Sequence, residues 1–292
     1  DKLKRLTDRA FEQWEIQLTE APGHASELAR SATEQGFDLV AAVGGDGTCH
    51  EVINGLIKDG KVIRKQTAFT VIPFGTGSDL VRSLQIPKQT QEALWIAATG
   101  VSLPSDFGWA EVTTDNGQHS EAFINVASFG ASAAVARRVN QGSKRFGGTA
   151  SFMGATLRTL MDYKPTPVEV QFSNDDGDHK WTKPLMTGFI ANGHYCGGGM
   201  LVGPGGSMQD GLFDTCMFEP TPLAHQLIDL RHLYDGQISR SRGISTAQTK
   251  KLIARSDELV HIELDGETRG HLPANFEIKS SAINMRGGWI GV

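Results

Sequence analysis

Val43-Gly44-Gly45-Asp46-Gly47-Thr48 constrains the fold of this chain more than any other stretch, because it joins two elements with no spacer. Before it runs an apolar, strand-like segment, Phe37 to Ala42; after it comes a helix-like one, Cys49 to Ile57. Glycines let a backbone turn sharply and approach a ligand with no Cβ in the way, and the N–H groups opening the next helix suit a phosphate. The acidic residue narrows the reading, since a carboxylate in such a turn repels bare phosphate unless a divalent cation sits between them. Taken alone, the turn fits either a nucleotide phosphate with Mg²⁺ or a tight strand-to-helix connection whose Asp46 caps the helix.

Around that turn the chain alternates. Residues 1–13 carry Leu3, Leu6, Ala10 and Phe11 at helical spacing. A βα domain seldom opens on a helix, so a preceding strand is expected to be absent from the chain as given. Trp14 to Thr19 reads as a strand, Ala25 to Gly36 as a helix with a glycine C-cap, 37–43 and 68–72 as strands, and 49–58 as the helix between them. Such βαβα order predicts a parallel, doubly wound sheet with ligands at the carboxyl ends of its strands. The strand at 68–72 runs into Pro73-Phe74-Gly75-Thr76-Gly77-Ser78-Asp79, placing a second glycine turn and a second Asp at the same edge. Helices are expected at 79–84 and 89–99.

Beyond about residue 101 the pattern changes to short β-rich stretches: 106–112, 121–126, 168–172, 185–191, 212–218 and 259–264. Polar turns such as Thr114-Asp115-Asn116-Gly117 separate them, the signature of an antiparallel sandwich or barrel. The expected division is an N-terminal α/β nucleotide-binding domain, 1–103 plus about 280–292, and a C-terminal β-sandwich domain, 104–279, with a few helices. One of these, 149–163, places Phe152, Met153, Thr156, Leu157, Leu160 and Met161 on one face near Lys144, Arg145 and Arg158. That stripe suits either a membrane-facing helix or, more ordinarily, a helix packed on its own sheet. A helix at 223–234 reads as core.

Composition excludes several classes. A net charge of −5 lacks the basic footprint of a nucleic-acid binder. Cys49, Cys196 and Cys216 are far apart, with neither CxxC nor zinc spacing, which points to a reducing cytoplasm. No apolar run approaches the roughly 18 residues of a membrane span. Any membrane contact is therefore expected to be peripheral.

Several ordered motifs together resemble the diacylglycerol kinase catalytic domain family, which includes bacterial lipid kinases and sphingosine kinases. They are Gly44-Gly45-Asp46-Gly47-Thr48 with Glu51 and Asn54, Pro73-x-Gly75-Thr76-Gly77-x-Asp79, and Leu264-Asp265-Gly266-Glu267. Asp106-Phe107-Gly108, Asn192-Gly193-x-Tyr195-x-Gly197 and Pro204-x-x-Ser207-x-x-Asp210-Gly211-Leu212 lie between them. The resemblance runs from about Trp14 to the end and implies two domains with a cleft between, using ATP and Mg²⁺ to phosphorylate a lipid hydroxyl. By position it implies ATP contacts at Gly44, Gly45, Asp46, Gly47, Thr48, Cys49, His50 and Thr76, and a further one at Thr19. Glu267 matches the family's proton acceptor. Ser207, Asp210 and the carbonyl of Leu212 match a Mg²⁺ site in the sandwich domain. The Asp equivalent to Asp106 lies near the lipid head group, so Asp106 is expected either to bond the acceptor hydroxyl or to be a strand-start carboxylate in solvent.

Chemistry adds to that resemblance. Phosphoryl transfer needs charge neutralised on the phosphates and a base near the attacking hydroxyl. Asp46 and Asp79 suit Mg²⁺; Asp265 and Glu267, two apart across a glycine bend, suit one group that steadies metal or substrate and one that takes the proton. A plain hairpin turn is the alternative for Asp265-Gly266-Glu267. The chain departs from the family at Ser78 and His50, where Asn is frequent, and nothing in it matches the opening Asn-Pro-x-x-Gly turn. A Mg²⁺-dependent lipid kinase acting on diacylglycerol or a related lipid is the leading expectation, at a peripheral membrane location. An NAD kinase-like enzyme and a non-catalytic lipid or nucleotide regulator are the rivals. A homodimer is the commonest assembly for such a chain.

Overall fold

Alternation along two short strands builds the N-terminal half. The computed structural model describes residues 2–74, 79–141 and 148–289; Thr76 and Ser78, with Lys144 and Arg145, lie outside them. Strand β1 (Leu39–Gly44) pairs in parallel with β2 (Ala68–Pro73), from Leu39 opposite Ala68 to Gly44 opposite Pro73. Val40, Ala42, Phe69 and Val71 enter one core, while Leu39, Ala41 and Ile72 enter another on the opposite face. Helices α2 (His24–Glu34) and α3 (Asp46–Leu56) cover the first face, and α1 (Lys2–Ala10) with α5 (Thr90–Thr99) the second. A short α4 (Asp79–Ser83) follows β2. Helices on both faces of a parallel pair give the doubly wound layering expected from the sequence. At the α2–α3 contact a Cβ on Gly55 would sit 2.3 Å from the Ser26 carbonyl oxygen, so only glycine lets these helices approach.

The strand expected at 14–19 does not form. Trp14, Ile16 and Leu18 alternate with polar residues, but the segment joins no sheet; Trp14 is half-buried and the rest exposed, with Leu18 80% accessible. Alternation makes a strand only where a sheet edge and an apolar surface receive it.

The C-terminal part is antiparallel. Its strands are β3 (Ser102–Thr114), β4 (Gly117–Phe123), β5 (Val126–Gly130), β6 (Thr166–Asn174), β7 (Gly177–Leu185), β8 (Thr187–Ala191), β9 (Phe213–Phe218), β10 (Ile244–Thr249), β11 (Lys251–Arg255), β12 (His261–Leu264) and β13 (Glu267–Arg286). The main path runs β10-β9-β8-β5-β12-β13-β11-β6-β7, and β13 also pairs with β3, which pairs with β4. The sheet curls around one core containing Phe123, Phe129, Phe213 and Phe276, with Phe123 stacked on Phe213 at 5.6 Å. Alternate residues of β5, β8 and β9, such as Val126, Phe189 and Cys216, point the other way into a third cluster. Beside that second face lie α6 (Ala131–Gln141), α7 (Gly148–Asp162) and α8 (Leu223–Tyr234). Strand β13 ends by pairing in parallel with β2, Asn284 opposite Ala68, so one sheet is continuous through both halves.

Candidate active site

A cavity of about 890 Å³ opens between the N-terminus of α3 and the C-terminal sheet. Its lining joins two kinds of residue. Gly45, Asp46, Gly47, Thr48, Asp79 and Glu267 are small or acidic, whereas Val135, Phe152, Leu160, Met186, Phe189 and Leu230 are apolar.

The phosphate-type turn forms as its composition dictates, with one change of role. Gly45 is the N-cap of α3 and supplies no side-chain bond, so Asp46 is the first helical residue and does not cap its own helix. Its carboxylate instead meets the start of α4, Oδ1 accepting from the Leu80 N–H at 3.4 Å and Oδ2 from the Asp79 N–H at 3.5 Å. Burial, then the neighbouring Asp79 charge, pushes Asp46 up to about 6. Asp79 is itself raised, chiefly by burial. Its Oδ2 accepts from the Gly198 N–H at 2.7 Å, while its buried Oδ1 has no hydrogen-bond partner among the described residues. An unpartnered buried carboxylate oxygen next to a second crowded carboxylate fits a small hard cation. Among the described residues no group of three or more His, Cys, Asp or Glu side chains is arranged to hold a metal ion by itself. A cation held here would complete its shell with phosphate oxygens and water.

The opposite wall is a two-residue hairpin between β12 and β13, with Leu264 paired to Glu267. Asp265 at φ 51° and Gly266 at φ 90° make both turn residues left-handed, as a primed hairpin turn requires. The plain hairpin and the site are thus one object. Glu267 emerges from it directly against the phosphate-type turn: a Cβ on Gly47 would lie 3.1 Å from Glu267 Oε1. The Glu267 side chain makes no hydrogen bond or ion pair with the described residues, which leaves its carboxylate free for a ligand.

Asp265 is used differently from the expectation that it steadies metal or substrate. Its Oδ1 accepts from the Asn125 and Val126 N–H groups at 2.9 and 3.1 Å, and its Oδ2 from the Ile124 N–H at 2.9 Å and His50 Nδ1 at 3.0 Å. Four donors occupy it, so it holds the hairpin on the backbone between β4 and β5. His50 Nε2 meets Glu121 Oε1 at 3.1 Å. Burial disfavours a charged His50, but the bonds to Asp265 and Glu121 outweigh it and push the imidazole up to about 9. Glu121, which burial would raise, is held low by His50 and then Arg269.

Sequence reasoning missed Glu263. Its Oε2 accepts the Gly266 N–H and its Oε1 the Ser128 hydroxyl, both at 2.5 Å, and burial pushes it up to about 7. The signal lay in the strand His261-Ile262-Glu263-Leu264, where a lone acid between two inward apolar residues faces the cleft side.

Other expected contacts move. Gly44, Cys49 and His50 do not line the cavity; Cys49 and His50 are each 1% exposed, beneath the turn. Gly44 is needed for packing, since a Cβ there would meet Thr48 Oγ1 at 2.6 Å. Thr19 is exposed on the unpaired segment. Asp106 neither faces solvent nor lines the cavity: it is 0% exposed, its Oδ2 accepting from the Gly211 N–H at 2.7 Å and its Oδ1 from the Ser281 N–H at 2.6 Å. Buried and fully engaged, it pins the 207–212 loop to β13 instead of meeting a head group. Within that loop the Asp210 N–H donates to the Ser207 carbonyl at 3.4 Å and the Leu212 N–H to Asp210 Oδ1 at 2.9 Å. Ser207, Asp210 and Leu212 therefore share one turn of oxygen donors, a set that suits a hard cation.

The strand–glycine turn–helix unit, set against an antiparallel sheet that supplies a free carboxylate, defines a nucleotide-dependent phosphotransferase. Residues 1–110 match the diacylglycerol kinase catalytic domain and residues 125–286 the YegS C-terminal NAD kinase beta sandwich-like domain, so the chain belongs to the diacylglycerol kinase catalytic domain family of lipid kinases. It is 29% identical over 259 residues to the diacylglycerol kinase of Bacillus subtilis (strain 168), covering 88% of this chain and 80% of that one. The crystal structure of a diacylglycerol kinase from Bacillus anthracis str. Sterne superposes with TM-score 0.69 at 20% identity, covering 97% of this chain and 88% of that one. At that identity the superposition speaks for the fold alone. At family level the protein is a lipid kinase, a phosphotransferase.

Proposed function

We propose that the protein transfers the γ-phosphate of ATP to the free hydroxyl of diacylglycerol or a closely related lipid, with Mg²⁺ as cofactor. The observation that carries this reading is the Glu267 carboxylate, unpartnered, against Gly47 of the phosphate-type turn beside an apolar-lined cavity. The N–H groups opening α3 receive the phosphates. Glu267 accepts the proton of the acceptor hydroxyl as that oxygen bonds to the γ-phosphorus, and the bond from that phosphorus to the ADP oxygen breaks. Asp46 and Asp79 would hold Mg²⁺, which neutralises phosphate charge when bound. The Ser207–Leu212 turn would hold a second, structural Mg²⁺.

The apolar lining takes the acyl part of the acceptor. Helix α7 supports delivery from a membrane surface, for its stripe divides: Phe152, Thr156 and Leu160 line the cavity, while Met153, Leu157 and Met161 are 43%, 44% and 59% exposed. No helix among the described residues is long and apolar enough to cross a membrane. The reading includes peripheral contact at a cytoplasmic membrane face, and loss of vesicle binding in Leu157→Asp would support it.

The test is incubation of the purified protein with labelled ATP and Mg²⁺, together with either a total lipid extract or NAD, and mass spectrometry of the product. Label in a phosphorylated diacylglycerol-type lipid is expected. Label in NAD alone, or in neither, overturns the reading.

A further inference from the structure

The two halves of the site come from opposite ends of the chain, and something must hold them in register. Helix α3, which begins at Asp46, docks on β4 by two side chains one turn apart. Asn54 pairs with the Ala122 backbone in both directions, Nδ2 to the carbonyl at 2.9 Å and the Ala122 N–H to Oδ1 at 2.9 Å. His50 does more, for its imidazole sits between Glu121 of β4 and Asp265 of the hairpin, 1% exposed. A carboxylate accepts only, so two carboxylate partners call for N–H on both ring nitrogens. Asp265 in turn gathers the Ile124, Asn125 and Val126 N–H groups, and Glu267 lies two residues beyond it.

We propose that His50 is a positioning residue: by donating to Asp265 it sets where the Asp265-Gly266 turn rests on α3, and so the distance from Glu267 to the phosphate-type turn. Asn54 keeps the helix docked whether or not His50 is present. The bond to Glu121 orients the ring, and the bond to Asp265 does the positioning. Glu121 is separately held by Arg269 Nε at 3.0 Å, so it keeps a charged partner when the imidazole is gone. Misplacing a reacting group by about 1 Å costs on the order of a hundredfold in rate, so a small shift of this hairpin is enough to matter.

This inference rests on the kinase reading for its rate consequence, but its structural part is measured separately. Asparagine carries its amide N–H₂ near the place of Nδ1 and glutamine near the place of Nε2. His50→Asn therefore keeps the donor to Asp265 and loses Glu121, while His50→Gln does the reverse, and both remove the charge. Hydrogen exchange at residues 124–126 and 264–268 reads the hairpin with or without turnover. Exchange about tenfold faster in His50→Gln than in His50→Asn is expected, with kcat about tenfold lower and the KM for ATP within about threefold. Equal exchange in the two variants, or faster exchange in His50→Asn, overturns the proposal whatever the assay shows. A wild-type protein that phosphorylates no lipid overturns the functional reading instead and leaves the exchange result to decide this one. Equal kcat in the two variants, with the wild type active, would refute the link to Glu267.

Discussion

The two walls of the cleft are built on opposite principles. The α3 wall meets phosphate through backbone: Gly45, Gly47 and the first N–H groups of a helix, where close approach depends on side chains being absent, with the Asp46 carboxylate beside them. The hairpin wall is made of side chains: Asp265 and Glu263 have their oxygens engaged by N–H and hydroxyl donors, and Glu267 alone is left free. The difference shows how one site can be both tolerant and rigid. The backbone wall accepts a phosphate of any orientation its donors reach, while the carboxylate wall leaves one carboxylate available by engaging the other two.

That contrast predicts opposite sensitivities. On the hairpin wall, removing a side chain is worst: Glu267→Ala is expected to lower kcat by about 10³-fold, within the usual range for losing a positioned general base, with an unchanged melting temperature. Wild-type-like turnover in an assay of lipid phosphate would break the comparison. On the backbone wall, adding a side chain is what harms. Gly47→Ala puts a Cβ 3.1 Å from Glu267 Oε1, so the carboxylate must retreat by a few tenths of an ångström. A fall in kcat of about tenfold, measured under ATP saturation, is the expected outcome.

Asp46 tests the join between the walls. Its charge is disfavoured by burial and by Asp79, so in the absence of Mg²⁺ Asp46→Asn is expected to stabilise the fold at pH 7 by about 1 kcal/mol while reducing the Mg²⁺ dependence of the melting temperature to the part that the Ser207–Leu212 turn contributes. A destabilised Asp46→Asn protein would show that the carboxylate serves packing.

How much of this was legible beforehand follows the same division. The α3 wall is contiguous, so strand, glycine turn and helix were visible in consecutive residues, as was the parallel pair β1 and β2. The two-residue hairpin was visible as Asp265-Gly266, but its place opposite Gly47 came only from family resemblance. His50 and Asp265 are 215 residues apart, and Asp106 meets Ser281 across 175, separations at which local pattern carries no information. Asp106 went to the core and not the cleft for that reason: a carboxylate reads as exposed until the backbone donors that bury it are known. Trp14 to Thr19 failed in the other direction, showing good alternation with no edge to join. Strand β13 was not read as a strand, beyond the expectation that about 280–292 returns to the first domain, because its 20 residues change partners from β12 to β11 and β3 and finally β2, and no single periodicity describes it.

The pH effect expected of His50 is on stability alone, and it separates the walls. His50 is raised from its ordinary 6.5 to about 9 by its two carboxylate partners. A histidine whose folded value is raised binds its proton more tightly in the native state. The stability it contributes is therefore complete below about 6.5, and is lost progressively as pH rises through 9. Melting temperatures of the wild type are expected to fall by a few degrees between those limits, corresponding to on the order of 2 kcal/mol. His50→Asn, which has no proton to lose, is expected to show a flat profile across the same window. A parallel decline in both proteins would place the pH sensitivity elsewhere, and would leave the hairpin wall held by the backbone N–H groups of residues 124–126 on Asp265 and by Glu263 on Gly266.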